Sequence, residues 1–261
     1  MPAQPMTEAQ PFIRLEAVRK SYRTRGAEFL AVSDVTFSVH PGELVSLVGP
    51  SGCGKTTILR ILAGLAEHDS GTVAIGSAAD PFDPARDVGI MFQQALLLEW
   101  RKVLDNVLLP AEILGLPAAE SRDHARHLLS MVGLSGYEDK YPYELSGGMQ
   151  QRVALARSLV HNPKLVLMDE PFGALDALTR EKMNLELHRI WRESRKTIVF
   201  ITHSIQEAVF LGTQVAVLTA GPARMADHFP IDLPVPRTLD MRNQERFGVY
   251  TRRVYQLLGM I

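Results

Sequence analysis

Eight consecutive residues, Gly49-Pro50-Ser51-Gly52-Cys53-Gly54-Lys55-Thr56, followed by Thr57, have the composition and spacing of a loop that holds phosphate. The glycines let the backbone wrap closely, so that successive N–H groups and a helix N-terminus converge on an anion. Lys55 adds a point charge with the reach of a nucleotide's β- and γ-phosphates, and the Thr56 hydroxyl is a hard oxygen suited to Mg2+. The bland alternative is a structural Gly-rich turn. Against it stands the setting: apolar Leu44–Val48 precedes the loop and an apolar helix follows, the context this chemistry requires. Cys53 reads as a small loop residue rather than a redox centre.

A second group is Asp169-Glu170, directly after the apolar run Leu165–Met168. A strand ending this way puts both carboxylates at the carboxyl edge of a parallel sheet, where ligands bind. Asp169 is placed to hold Mg2+, commonly through water, and Glu170 to polarise an attacking water. By itself such a strand end is often only a turn; after a phosphate loop in the same chain it completes a nucleotide site. The third group, Leu145-Ser146-Gly147-Gly148-Met149-Gln150-Gln151-Arg152, opens a helix in which Ser146 is a good N-cap and two glycines leave N–H groups bare. One simple phosphate site has no evident use for a second such helix start. Taken alone, the segment reads better as an ordinary capped helix.

These residues need a scaffold of strands and helices. Phe12–Val18, Leu30–Val39, Leu44–Val48, Thr72–Ile75, Leu165–Met168, Thr197–Thr202 and Gln214–Leu218 are β-branched or apolar runs, punctuated at Gly26 and Pro41-Gly42. Helical spacing marks Thr56–Ala66, Glu120–Val132, Met149–Val160, Leu178–Arg192 and Ser204–Leu211. Strand and helix alternating in this way predict a parallel sheet covered on both faces. Between about residues 94 and 162 the texture changes, and the helical spacing of Glu120–Val132 and Met149–Val160 there reads as a helical insertion. The tail after Gly221 is Pro-rich and then weakly helical over Asn243–Leu258.

Bulk properties narrow the partners. With 261 residues and 46% hydrophobic content the chain can bury a sizeable core. A net charge of −1 supplies neither a basic footprint for nucleic acid nor a polybasic membrane anchor. The single cysteine, Cys53, excludes an internal disulfide and a multi-cysteine metal site, and fits a reducing compartment. Met1–Gln10 is polar and Pro/Ala-rich, unlike a signal peptide, and no apolar run approaches a membrane span. The expectation is a soluble chain whose membrane contact runs through a partner.

Over about residues 12–220 the chain resembles an ABC ATPase, because that family's marks occur in order at fitting spacings. Tyr22 sits where the family stacks an aromatic ring on adenine, and the phosphate loop follows at Gly49–Thr57. Gln93 in Ile90-Met91-Phe92-Gln93 resembles the Q-loop glutamine, and Leu145–Arg152 the family signature, with Met149 where many members carry Gln. Asp169-Glu170 matches the Walker B pair, Ala174-Leu175-Asp176 the D-loop, and His203 in Ile201-Thr202-His203 the switch histidine. Ser204 departs from the more usual Asp. Singly, Tyr22 reads as strand packing and Gln93 and His203 as surface or capping residues; together they are in register.

The resemblance implies an α/β fold, a P-loop NTPase of ABC type. Its mostly parallel central sheet would carry an N-terminal antiparallel β subdomain and an inserted helical subdomain. The ATPase domain would span 12–235, with the helical part at about 94–162, and 236–261 would be a C-terminal helical extension. It implies ATP and Mg2+, the latter held by Thr56, Gln93 and Asp169. Two copies would pair head to tail, so that Leu145, Ser146, Gly147, Gly148 and Gln150 of one cover the phosphate loop of the other. Glu170 would be the general base, His203 would contact the γ-phosphate and orient water, and Asp176 would link the two sites. Integral membrane permease subunits would dock near Gln93, Leu96-Leu97-Leu98 and Trp100, a run that reads equally as core of the insertion. An extracytoplasmic solute-binding protein would act indirectly, and the chain would lie on the cytoplasmic face of the inner membrane.

Leu96–Pro110, Gly173–Arg180 and the Pro-rich Pro230–Arg237 resemble the branch that imports nitrate, sulfonates or taurine. Soluble ABC ATPases of DNA or ribosomes tend to carry two cassettes or a long coiled-coil insertion, and this chain has neither. GTPases, small-molecule kinases and helicases have no place for the stacked aromatic, the signature or the switch histidine. A binder without turnover would have lost its base, yet Glu170 is present.

Overall fold

The computed structural model describes residues 10–24, 26–77 and 79–261. Most of the polar N-terminal stretch, residues 1–9, lies outside the described residues. In chain order the elements are β1 (Ile13–Thr24), β2 (Ala27–Val39), β3 (Leu44–Val48), α1 (Lys55–Leu62), β4 (Ser70–Ile75), α2 (Pro84–Asp87) and β5 (Val88–Met91). Then come α3 (Val103–Ile113), α4 (Ala118–Met131), α5 (Gly147–Leu159), β6 (Leu165–Asp169), α6 (Ala177–Ser194) and β7 (Thr197–Thr202). The chain finishes with α7 (Ile205–Leu211), β8 (Gln214–Leu218), β9 (Ala223–Pro230) and α8 (Glu245–Leu257).

Among the described residues, nine strands form one sheet in the order β4-β1-β2-β9-β8-β3-β7-β6-β5. The strands β8, β3, β7, β6 and β5 run parallel, whereas β1 pairs antiparallel with both β2 and β4. This is the α/β architecture expected. Joining the two halves is β9, which pairs antiparallel with β8 and parallel with β2. The sequence alone assigns no strand to this stretch, because its Asp227, His228 and closing Pro230 mask the alternation. Both β5 and α3 were also unassigned, the first because four residues carry little periodic signal, the second because Pro110 interrupts its pattern.

The central strands are buried on both faces, which explains their unbroken apolar runs. Alternate residues divide between two cores. Val48, Val166, Met168, Ile198 and Phe200 face helices α3 to α8, while Leu47, Leu165, Leu167, Val199 and Ile201 face α1 and the antiparallel strands. Because β3, β5, β6 and β7 are parallel, their carboxyl ends share one edge. On that edge lie the phosphate loop, Gln93, Asp169-Glu170 and His203.

The C-terminal segment packs back on this body. Phe247 and Val254 of α8 enter the α-helical core, and buried Arg237 donates to the Gly212 carbonyl at 3.1 Å. Desolvation lowers the Arg237 pKa to about 10. Among the described residues, no helix is long and apolar enough to cross a membrane.

Candidate functional site

Strand β3 stops at Val48 and α1 starts at Lys55, so the intervening loop must turn sharply over the sheet edge. At Gly54, the residue that caps α1, φ is 113°, and a Cβ there would stand 2.5 Å from the Ala31 carbonyl oxygen. Only glycine fits, and the bare backbone lies open to an anion. Lys55 is buried, with Nζ donating to the Gly49 and Pro50 carbonyls at 2.8 and 2.9 Å. Its charge is thereby folded over the loop. Burial pushes the Cys53 thiol up, with Lys55 opposing, so Cys53 is a packed loop residue and not a reactive thiolate.

Asp169 ends β6 and accepts a hydrogen bond from Thr56 Oγ1 at 2.9 Å. Burial holds its carboxyl above the usual range; the Thr56 bond opposes this and the neighbouring Glu170 charge adds to it. Glu170 adopts φ 47°, a left-handed conformation that few non-glycine residues take, and its N–H donates to the Ile201 carbonyl at 3.0 Å. Its two oxygens then reach different partners. His203 Nδ1 lies 2.9 Å from Oε2, and Lys55 Nζ lies 3.9 Å from Oε1. Three adjacent parallel strands thus bring Lys55, Thr56, Asp169, Glu170 and His203 together.

The Thr56 hydroxyl and Asp169 carboxylate form a hard, two-donor set, which fits a Mg2+ that keeps waters and phosphate oxygens as its other ligands. Among the described residues no cluster of three or more His, Cys, Asp or Glu exists to form an all-protein cage.

A cavity of about 230 Å3 opens beside these groups, walled by Tyr22, Phe29, Gly52, Lys55, Thr56 and Glu170. Tyr22 and Phe29 are cross-strand partners on β1 and β2. Phe29 is 58% exposed, an aromatic face turned to the cavity mouth that sequence reasoning missed. Its signal is the pairing register, which becomes visible only once the β1–β2 hairpin is aligned.

The signature residues lie elsewhere. Ser146 caps α5, its hydroxyl accepting from the Met149 N–H at 3.4 Å. A Cβ on Gly148 would meet Thr179 Cγ2 at 2.9 Å, so the starts of α5 and α6 abut. Asp176 caps α6 by accepting from the Thr179 N–H at 3.0 Å, a bond that lowers its carboxyl pKa. Gln93, Gly147, Gln150, Ala174 and Leu175 share a second cleft of about 450 Å3. None of Leu145–Gln150 lines the cavity beside Lys55 and Glu170 of the same chain. Gln93 joins the two regions, since a Cβ on Gly173, beside the Glu170 turn, would lie 3.3 Å from its Nε2.

Two further residues fix the Gln93 segment. Gln151 Nε2 donates to the Gln93 carbonyl at 2.7 Å, and Arg157 holds the carbonyls of Ala95 and Leu96 at 2.6 and 2.8 Å. In the sequence they were only the inner residues of a signature helix.

Comparison with known proteins gives the same reading. Residues 32–173 match the family model described as ABC transporter. An ABC transporter ATP-binding protein of Methanocaldococcus jannaschii is 44% identical over 246 residues, covering 94% of this chain and 91% of that protein. The taurine import ATP-binding protein TauB of Ruegeria pomeroyi is 42% identical over 239 residues, 90% of this chain and 88% of its own length. A bacterial ABC transporter cassette solved as a dimer superposes with TM-score 0.73 at 34% identity, over 85% of this chain and all of that one. A post-hydrolysis state of an ATP-binding cassette, bound to ADP and phosphate, superposes with TM-score 0.69 at 33% identity, over 83% of this chain and all of that one. The chain belongs to the ABC transporter family, as an ATP-binding subunit with ATPase activity.

Proposed function

We propose that two copies of this chain close over ATP and reopen on hydrolysis, driving import of a nitrate-, sulfonate- or taurine-type solute through separate membrane subunits. The observation that carries this reading is the division of the site. One chain sets Lys55, Thr56 and Glu170 on one cavity, with Asp169 bonded to Thr56 and His203 to Glu170, while its second anion-ready helix start lines another cleft through Gly147 and Gln150. A head-to-tail pair brings the Ser146 of each copy to the phosphate loop of the other. Relatives solved as dimers support the pairing; relatives bearing the name taurine import ATP-binding protein support the branch.

In this reading Tyr22 and Phe29 receive the adenine, the Gly49–Thr57 loop and Lys55 hold the phosphates, and Thr56 and Asp169 would hold Mg2+, with Gln93 reaching it from the second cleft. The ion would neutralise phosphate charge. Glu170 accepts the proton of the attacking water, and His203, tied to it at 2.9 Å, orients that water and contacts the γ-phosphate. Most of the rate comes from positioning and charge stabilisation. Once the γ-phosphate leaves, the charge shared by both copies is gone and the pair opens.

The membrane partner docks on the face that carries Phe92, Leu96, Trp100 and Ile113. All four are exposed, Trp100 at 76%, on a chain without a spanning helix among its described residues. Leu97 packs against the helical core, so the apolar run 96–98 divides between core and surface. The chain would then sit at the cytoplasmic face of the inner membrane, and an external solute-binding protein would choose the cargo.

The test is Glu170→Gln. It is expected to bind ATP, to hydrolyse it hardly at all, and to elute as a dimer from gel filtration in ATP. A variant that stays monomeric, or turns over normally, contradicts the reading. Uptake assays with several anions in a strain lacking the gene would identify the solute.

A further inference from the structure

A buried polar path runs from the loop ahead of α6 to the backbone around His203, and no role assigned above uses it. Arg180, in the first turn of α6, donates from Nη2 to the Leu175 carbonyl at 2.8 Å. Its Nε faces Glu207 Oε1 across 3.8 Å. Both atoms are buried, and neither has a hydrogen-bond partner. Glu207, 6% exposed in the first turn of α7, uses its other oxygen to accept from the Thr202 hydroxyl at 2.6 Å. That hydroxyl accepts from the Ser204 N–H at 2.9 Å, and Ser204 Oγ accepts from the Glu207 N–H at 3.3 Å. Thr202 and Ser204 flank His203, so Glu207 grips the chain on both sides of it.

Withdrawing the Glu207 carboxylate and the Arg180 Nε from water is costly, and good contact geometry is what offsets the cost. At 3.8 Å this pair is opposite in charge and less than an ångström short of a hydrogen bond; Glu207 is buried, while the Arg180 side chain is 32% exposed with its Nε enclosed. The guanidinium is planar and rigid, so any shift of the Leu175 carbonyl held by Nη2 carries Nε with it.

We propose that Arg180 and Glu207 are positioning residues for hydrolysis. A second copy seated on Ala174–Asp176 moves Arg180 onto Glu207, and the closed pair fixes His203 in its contact with Glu170. This relay rests on the two-copy reading above, and it tells the water-orienting side chain that the interface is occupied. Neither residue lines the cavity beside Lys55 and Glu170.

Steady-state ATPase kinetics on Arg180→Ala, Glu207→Gln and the double variant test it. Arg180→Ala is expected to lower kcat by about tenfold or more with KM within about twofold, because ground-state binding is untouched. The double variant is expected to be no worse than the poorer single one, as for residues acting as one unit. In a Glu170→Gln background, Arg180→Ala should still dimerise on ATP. A kcat within about twofold of wild type, or losses that multiply in the double variant, overturns the relay. If Glu170→Gln alone fails to dimerise, the two-copy reading falls and the relay with it. If it dimerises while Arg180→Ala hydrolyses normally, only the relay falls. Should Glu207→Gln not fold, Arg180→Ala and Arg180→Gln decide by their kcat and KM alone.

Discussion

Glu170 and His203, thirty-three positions apart, meet at 2.9 Å because β6 and β7 are neighbouring parallel strands that end level with each other. The left-handed turn at Glu170 aims its carboxylate back along the edge toward the imidazole. His203→Ala leaves that carboxylate and the phosphate loop in place, so ATP affinity should hold within about threefold while kcat falls roughly a hundredfold. Steady-state ATPase assays check this; a large rise in KM with unchanged kcat contradicts the assignment.

Asp169→Asn should separate folding from function. Burial raises the pKa of this carboxyl, so its ionised form opposes folding at neutral pH, and that opposition is relieved only as pH falls through the raised value. Asparagine removes the charge and keeps an acceptor for Thr56. Without nucleotide the thermal midpoint is expected at or above that of wild type. The stabilisation that Mg2+ and ATP give the wild type should be largely lost. Thermal unfolding with and without Mg2+ and ATP measures both.

Gln151→Leu should loosen the Gln93 segment. Gln151 is buried and its amide anchors the Gln93 carbonyl, so the substitution leaves that acceptor without its donor at a cost of about 1–2 kcal/mol. Faster amide hydrogen exchange is expected over residues 93–97, with protection of β6 and β7 unchanged.

His188 predicts how stability depends on pH. It is buried on α6 beside Trp191 and Phe210, and desolvation, reinforced by Arg237 and Arg192, lowers its pKa to about 4. A histidine with a depressed folded pKa favours folding above its unfolded value of 6.5, and that support drains as pH falls from 6.5 toward 4. At pH 5.5 the loss is about 1 kcal/mol, or about 2–4 °C in the thermal midpoint. His188→Gln should shrink the difference between pH 7.5 and pH 5.5 by about that amount. An unchanged difference removes His188 from the account.

Much of this was legible in the sequence because the chemistry sits where local patterns are strongest. A loop that needs glycine at 54, and strands apolar on both faces before Lys55, Asp169 and His203, leave traces that adjacent residues suffice to read. The missed features depend on distant partners. Strand β9 carries charged and proline residues because it links two halves of the sheet and is only partly buried. Phe29 matters through its pairing with Tyr22, and Gln151 and Arg157 matter through carbonyls about sixty positions away. No local spacing encodes such contacts. The Arg180–Glu207 path is of the same kind.

The most direct test of the shared site is a mixture of two dead variants, Lys55→Ala and Ser146→Arg. In a head-to-tail pair, a mixed dimer carries one site damaged twice and one site with native Lys55 and native Ser146. Each variant alone should lack ATPase activity, and an equal mixture should regain up to about a quarter of the wild-type rate, since half the dimers hold one of two sites. A mixture as inactive as its parents, with mixed dimers demonstrably formed, contradicts the two-chain site.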